Sequence, residues 1–264
     1  MMMAPDWITQ RPIAHRGLHD CGAGPLIENS PSAARAAIAL GCAIECDVQL
    51  SKDDEAIVFH DFTLERLTAH SGRVNAFTAR ELRSIRLRGG RGDAISTLPD
   101  FLNLISGATP LVCEIKSRFD GDMRLAERVG ACAAAYGGPI CIESFDPLVM
   151  AHLRRQRAAL GIDHVPLGMV AQADYGEENC EWSHLAAEDK RALAQFLHFA
   201  ETRPEFLSWS LRDLPHTVPL LCRTGLAMPD TIWTVRTQAD RAIALAHGDQ
   251  IVFEGETVRP KQPF

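Results

Sequence analysis

Short apolar runs alternate along this chain with segments whose apolar residues recur every three to four positions. "PIAHRG", "AIECDVQL", "AIVFHD", "LVCEIKS", "ICIESF", "PLGMVAQ", "FLSWSL", "TIWTVRT" and "QIVFEG" read as strands. "SPSAARAAIALG", "MRLAERVGACAAAYG", "PLVMAHLRRQRAALG" and "ADRAIALAHG" read as helices between them. Strand-helix alternation predicts a parallel sheet with helices outside. A closed barrel of this class needs eight strands, so one of the nine runs is expected to be peripheral. Ser30 before Pro31 marks a helix start, and Gly41 marks its end.

The alternation breaks after the second run. Only nine residues lie between Asp47 and Ile57, too few for a crossover helix, which predicts a short return through "SKDDE" and one barrel unit without its helix. The polar stretch from His60 to Leu111 has helical patterns and no strong strand, as a lid or small insertion over a barrel mouth would. Residues 172–184 read as a solvated loop; Asp174, Glu177, Glu178 and Glu181 lack the spacing of a calcium-binding loop. The whole chain is expected to form a single domain.

Composition narrows the class. The 264 residues are 46% hydrophobic and 23% charged, and no segment approaches the roughly 18 to 20 apolar residues of a membrane span. A soluble globular protein is expected. The start "MMMAPDWITQRP" lacks the basic and apolar regions of a secretory signal, which points to the cytoplasm. Eight scattered cysteines, without paired metal-binding spacing, fit buried thiols in a reducing compartment. The formal net charge of −7 and the absence of a basic run argue against nucleic acid as a partner. An anionic substrate needs a local positive site.

Candidate chemistry gathers at the strand ends, which in a parallel barrel share one mouth. Glu45 and Asp47 are two residues apart on one strand, so both side chains leave the same face. Burying an unpaired charge is costly, so either that face is solvated or a cation lies between them. With Glu114 from "CEIK" they make three hard oxygen donors suited to Mg²⁺ or Ca²⁺. Glu114 and Lys116 also share a face, where a simple ion pair serves equally. His15 and His60 each close an apolar run; singly they are structural hydrogen bonders, together an acid and a base for hydrolysis near neutral pH. Arg16 offers a planar fork for a phosphate, or a salt bridge at the rim. Glu143 and Ser144 lack a nucleophile-elbow context and read as structure. So do His152, His164, His184, His198, His216 and His247.

Taken together, "AHRG", "ENSPSA", "IECDVQLSKDDEAIVFHDFTLERLT", "CEIK" and "WTV" resemble the glycerophosphodiester phosphodiesterase family. The resemblance is dense over 13–69 and returns at 112–116 and 232–235. It implies an α/β TIM (β/α)8 barrel with a small insertion after the third strand, at about 61–95. It implies that Glu45, Asp47 and Glu114 bind a divalent metal and that His15 and His60 do the acid and base work. Arg16 and Lys116 would hold the phosphate, Trp233 would pack beside the glycerol, and Glu28 and Asn29 would lie at the substrate. The expected reaction is metal-dependent hydrolysis of a glycerophosphodiester to an alcohol and sn-glycerol 3-phosphate.

Four positions depart from the family pattern. Ser30 replaces threonine, Asp54 a turn glycine, Arg236 an asparagine and Glu254 an aspartate. The last two are expected at the rim, where they bear on substrate choice. Two other readings stand beside the main one. A lysophospholipase D or phosphoinositide phospholipase-like barrel should show an apolar or basic mouth; the polar insertion argues against it. A non-catalytic barrel binding phosphate esters would be expected to have lost a histidine or a carboxylate.

Overall fold

The computed structural model describes residues 4–19, 26–176 and 182–255. Cys21, Cys180, Glu177, Glu178 and Glu181 lie outside the described residues. Eight parallel strands close into a barrel: β1 (Ile13–Ala14), β2 (Ala43–Leu50), β5 (Leu111–Ile115), β6 (Ile140–Ser144), β7 (Leu167–Ala171), β8 (Phe206–Ser210), β9 (Asp230–Val235) and β10 (Gln250–Phe253). Pairing of β1 with both β10 and β2 completes the ring.

Seven of the runs that read as strands, and β1 at the start of "PIAHRG", take these places. The ninth run is β3 (Ala56–Val58), which pairs antiparallel with β2 outside the ring. The expected short return is therefore a hairpin. Asp54 at its turn has φ 59°, a left-handed conformation that aspartate tolerates and glycine adopts freely, which accounts physically for either residue there.

One expectation needs correction. The second barrel unit does not lack its helix; the helix is postponed. After β3 the chain forms the insertion and β4 (Ser96–Thr97), which pairs antiparallel with β3. Only then does α4 (Leu98–Ile105) form, capped by Thr97, whose hydroxyl accepts from the Asp100 amide. The insertion contains α3 (Ala79–Ser84), and its Leu64, Val74, Leu82, Ile85, Leu87 and Ile95 form an apolar cluster with Ile57 and Phe59 of the hairpin. A chain read only for polarity hides that cluster because its apolar residues are widely spaced.

Outside the ring, α2 (Pro31–Leu40), α5 (Arg124–Ala135), α6 (Pro147–Leu160), α9 (Thr217–Leu226) and α10 (Gln238–His247) pack their apolar faces on the strands. Ser30 caps α2 by accepting from the Ala33 amide, and Gly41 ends it at φ 75°.

Inside the ring, a period of two sorts the side chains into layers. Ile13, Ala43, Val112, Cys141, Phe206 and Val252 form a lower apolar layer, sealed from below by Ile8 and Trp7 of α1 (Trp7–Gln10). Two residues further along those strands come His15, Glu45, Glu114, Glu143, Ser208 and Glu254. The lower layer thus raises a polar layer towards the mouth.

The first strand ends abruptly, with Arg16 at φ 55° and Gly17 at φ 79° turning the chain out of the barrel. A Cβ on Gly17 would lie 2.9 Å from the Ala33 methyl on α2. Gly17→Ala is expected to cost about 2–4 kcal/mol, from a left-handed backbone penalty plus overpacking. A urea titration checks this, and an unchanged midpoint would contradict it.

Candidate active site

The polar layer opens into a cavity of about 290 Å³ at the C-terminal end of the strands. Its walls include His15, Arg16, Glu45, His60, Glu114, Lys116, Glu143, Phe145, Trp233 and Arg236.

Strand register builds the acidic centre. β2 and β5 pair so that Asp47 stands opposite Glu114. Glu45 precedes Asp47 by two residues and shares its face. One oxygen from each of Glu45, Asp47 and Glu114 lies within 4.8 Å of the others. All three are buried, at 2%, 0% and 6% exposure. Three carboxylates this close repel one another, and burial adds to that. Burial and the neighbouring Asp47 push the Glu45 carboxyl well above its ordinary range; burial raises Glu114 as well.

Cations from this chain answer part of the charge. Lys116 Nζ lies 2.9 Å from Asp47 Oδ1 and 2.6 Å from Glu114 Oε1. Arg16 Nε is 3.1 Å from Asp47 Oδ2, and the Arg16 amide donates to Glu45 Oε2 at 2.8 Å. Burial would raise Asp47, but Lys116 and Arg16 outweigh it and hold this carboxyl well below its usual range. Glu45 Oε1 has no hydrogen-bond donor, and Asp47 Oδ1 and Glu114 Oε1 share the single Lys116 ammonium. Buried, converging hard oxygens with so few donors fit a divalent cation.

The histidines reach the cavity by different routes. His15 follows β1 directly. His60 is not at the end of a barrel strand, contrary to the expectation of matching strand ends. β2 runs past Asp47 to Leu50, and the hairpin brings the chain back so that the Phe59 amide donates to the Asp47 carbonyl at 3.0 Å. His60 arrives at the mouth on that return. Gln49 fixes it further, its amide donating to the His60 carbonyl at 2.8 Å.

Each imidazole bonds a carboxylate through Nδ1. His60 Nδ1 is 2.8 Å from Asp61 Oδ1, and His15 Nδ1 is 2.5 Å from Glu254 Oε1. Asp61 also receives Arg66 Nε at 2.6 Å, and Arg66 forks onto Glu28 with two bonds of 2.7 Å. Burial lowers His15 to about 4, against the pull of Glu254. Burial would raise Glu254, yet His15 and Arg236 bring it down to about 2.

Two residues expected at the substrate stand one layer back. Glu28 is not on the cavity wall; its Oε1 accepts from Arg16 NH1 at 2.8 Å, aiming the guanidinium. Asn29, buried at φ 56°, brackets Asp47: its amide donates to Oδ2 at 2.8 Å and its oxygen accepts the Asp47 amide at 3.2 Å. Asp47 itself lies beneath the wall. A contiguous Glu-Asn pair cannot face one way here, because Asn29 takes a left-handed backbone.

Other residues were missed by sequence reasoning. Glu143, read as structure, is opposite Glu114 in the β5–β6 register and lines the cavity; burial, then Glu114, raises its carboxyl well above the ordinary range. The inward alternation of "CIES" was its available signal. The solvated-loop reading of 172–184 also fails in part. Tyr175 and Trp182 are 3% and 4% exposed and pack with Leu193, Phe119 and Phe145. Phe145 in turn meets Trp233 edge-on at 5.6 Å. A second cavity of about 730 Å³ adjoins the first across His60, Glu114 and Lys116, and its walls include Phe62, Phe119, Phe145, Trp182, Arg73 and Arg118.

Comparison with known proteins agrees with this fold. The profile of the glycerophosphoryl diester phosphodiesterase family matches residues 15–248. A glycerophosphodiester phosphodiesterase of Caldanaerobacter subterraneus subsp. tengcongensis is 40% identical over 112 residues, 40% of this chain and 44% of that protein. A Bacillus subtilis relative is 33% identical over 124 residues, 45% of this chain and 49% of that one. The chain thus spans about half the length of the curated relatives it matches. Among solved structures, an Oleispira antarctica phosphodiesterase in complex with the product sn-glycerol-3-phosphate superposes with TM-score 0.71 at 19% identity, covering 94% of each chain. A Thermotoga maritima glycerophosphodiester phosphodiesterase gives TM-score 0.66 at 20% identity, covering 92% of this chain and 94% of that one. These likenesses establish the barrel.

The convergence of three buried carboxylates carries a thermodynamic expectation. Mg²⁺ or Ca²⁺ at a hundredfold excess over its Kd should raise the melting temperature by roughly 5–10 °C. At fixed metal concentration the gain should grow as the pH rises above the ordinary carboxylate range, because protons compete for Glu45 and Glu114, whose carboxyls burial raises. Glu45→Gln should abolish it. Differential scanning calorimetry with and without chelator measures all three.

Proposed function

Because the chain belongs to the glycerophosphoryl diester phosphodiesterase family, we propose that it hydrolyses glycerophosphodiesters to an alcohol and sn-glycerol 3-phosphate, with a divalent cation held by Glu45, Asp47 and Glu114. The observation that carries this reading is one cavity where Glu45 and Glu114, with Asp47 just beneath the wall, meet two imidazoles, a guanidinium and an ammonium. A bound Mg²⁺ or Ca²⁺ supplies charge to a phosphoryl oxygen and makes a nearby hydroxyl more acidic.

The chain's own residues do the rest. Lys116 and Arg16 are kept charged, since Asp47 overcomes the burial that would lower both. They bind the phosphate and neutralise charge as it grows on the phosphoryl group. His15, whose burial favours the neutral ring, takes a proton from the attacking hydroxyl, either water or a glycerol hydroxyl. His60 stands where the two cavities join and protonates the leaving alkoxide. Trp233, with an edge against Phe145, offers a flat apolar face to the glycerol carbons. Buried free thiols such as Cys46, Cys113 and Cys141 suit a reducing, cytoplasmic setting.

One observation favours a second reading. The mouth is apolar beside His60, where Phe62, Phe119, Phe145 and Trp182 stand, with Arg73 and Arg118, and also Asp61 and Asp120, around them. Arg118 lies 5.0 Å over the Phe62 ring. Such a wall suits the chain or headgroup of a lysophospholipid, the substrate of a lysophospholipase D.

The test is release of choline from glycerophosphocholine by purified protein. Release with Mg²⁺ or Ca²⁺ and none with chelator is expected; none under either condition would refute the reading. Lysophosphatidylcholine in the same assay decides between the two substrates. Separately, His15→Ala and His60→Ala should each lower kcat by about 10²–10⁴ while the protein stays folded.

A further inference from the structure

The two late departures from the family pattern, Arg236 and Glu254, touch each other. Arg236 Nε lies 2.7 Å from Glu254 Oε2, while the other Glu254 oxygen meets His15 Nδ1 at 2.5 Å. They come from neighbouring barrel strands: Arg236 follows β9 by one residue and Glu254 follows β10 by one. The backbone ties them at the same level, with the Glu254 amide donating to the Val235 carbonyl at 3.0 Å. Residues expected at the rim, choosing substrate, thus form a row ending on an imidazole.

We propose that Glu254 is a positioning residue for His15, fixing its proton on Nδ1 and turning Nε2 to the cavity, and that Arg236 orients Glu254 in that task. An ionised carboxylate only accepts hydrogen bonds, so an imidazole nitrogen at this distance must carry the hydrogen. In a neutral ring the second nitrogen then bears the lone pair. His15 Nε2 is 3.8 Å from Glu45 Oε2, on the acidic side of the cavity where a hydroxyl would be deprotonated. A ring free to change tautomer would present N–H there instead, and a flipped ring would present C–H; neither can take a proton.

The geometry also separates this pair from a rim salt bridge. Glu254 is mostly buried, at 16% side-chain exposure, while Arg236 is half exposed at 53%. A surface pair contributes little by itself. Here its bond uses the carboxylate oxygen not bonded to His15, so it fixes the carboxylate's rotation without competing for the imidazole. His60 is held in the same manner by Asp61 and Arg66. The cavity therefore has two histidines, each backed by a carboxylate that an arginine aligns.

The tautomer assignment stands on the geometry alone, whereas its kinetic consequence rests on the phosphodiesterase reading. Nitrogen-15 spectra of the full chain report the tautomer without any substrate. Wild-type His15 should show Nδ1–H, and Glu254→Ala should show a mixture of tautomers or Nε2–H. In the assay with glycerophosphocholine, Glu254→Ala should lower kcat at least about tenfold with KM changed less than about threefold, and Glu254→Asp should recover part of the loss. Arg236→Gln should lower kcat about two- to threefold in the wild type and not at all in Glu254→Ala, since its effect passes through the carboxylate. If Glu254→Ala fails to fold, Glu254→Gln, which keeps the volume, is read by the same criteria. An Nε2–H tautomer in the wild type, or undiminished kcat in the variant, overturns the proposal. A wild type without activity on the diester removes the phosphodiesterase reading and leaves the tautomer assignment to the spectra.

Discussion

Mutual repulsion among three buried carboxylates is the constraint around which the mouth of this barrel is arranged. Glu45, Asp47 and Glu114 cannot all be ionised in a low-dielectric site without positive charge between them. Arg16 and Lys116 supply two charges, and Glu45 Oε1, which has no donor, leaves room for a third source. Asp47 takes most of the protein's own compensation, from both cations and the Asn29 bracket. Glu45 and Glu114 take less, and so respond most to whatever else enters.

The barrel makes this arrangement rigid. Parallel register between β2 and β5 sets the separation of Asp47 and Glu114, and side-chain alternation sets that of Glu45 and Asp47. Below them an apolar layer excludes water, with Phe206 filling space that Gly168 leaves open; a Cβ at Gly168 would approach the ring to 2.3 Å. The same dry floor that organises the charges also makes their burial costly. Function and instability thus share a source here, as they commonly do at catalytic sites.

The mouth is asymmetric. On the His15 side are polar groups, Glu254 and Arg236, while beyond His60 lies a run of aromatic rings from Phe145 through Trp182 to Phe119. A phosphodiester has two different arms, and these walls differ in the chemistry they can accept. The aromatic wall comes from the segments that follow β5, β6 and β7, and the hairpin of β2 and β3 brings His60 to its edge.

Much of this was readable in the residues. The alternation of strand and helix patterns, the short return after Asp47, the Ser30 cap and the Gly41 stop all follow from local rules, and local rules act in the sequence. That Glu45 and Asp47 share a face follows from the pleat. What the chain by itself left open depends on separations that only folding sets. Nothing local reveals that His60 returns on an antiparallel hairpin, that Glu28 and Asn29 turn away from the cavity, or that Arg236 and Glu254 meet behind His15. Tyr175 and Trp182 sit in a polar segment, and their burial depends on Phe119, Phe145 and Leu193 arriving from elsewhere. The sequence determined which side chains point inward, since that is a matter of period. The tertiary structure decided which of them touch, since that depends on register between distant strands.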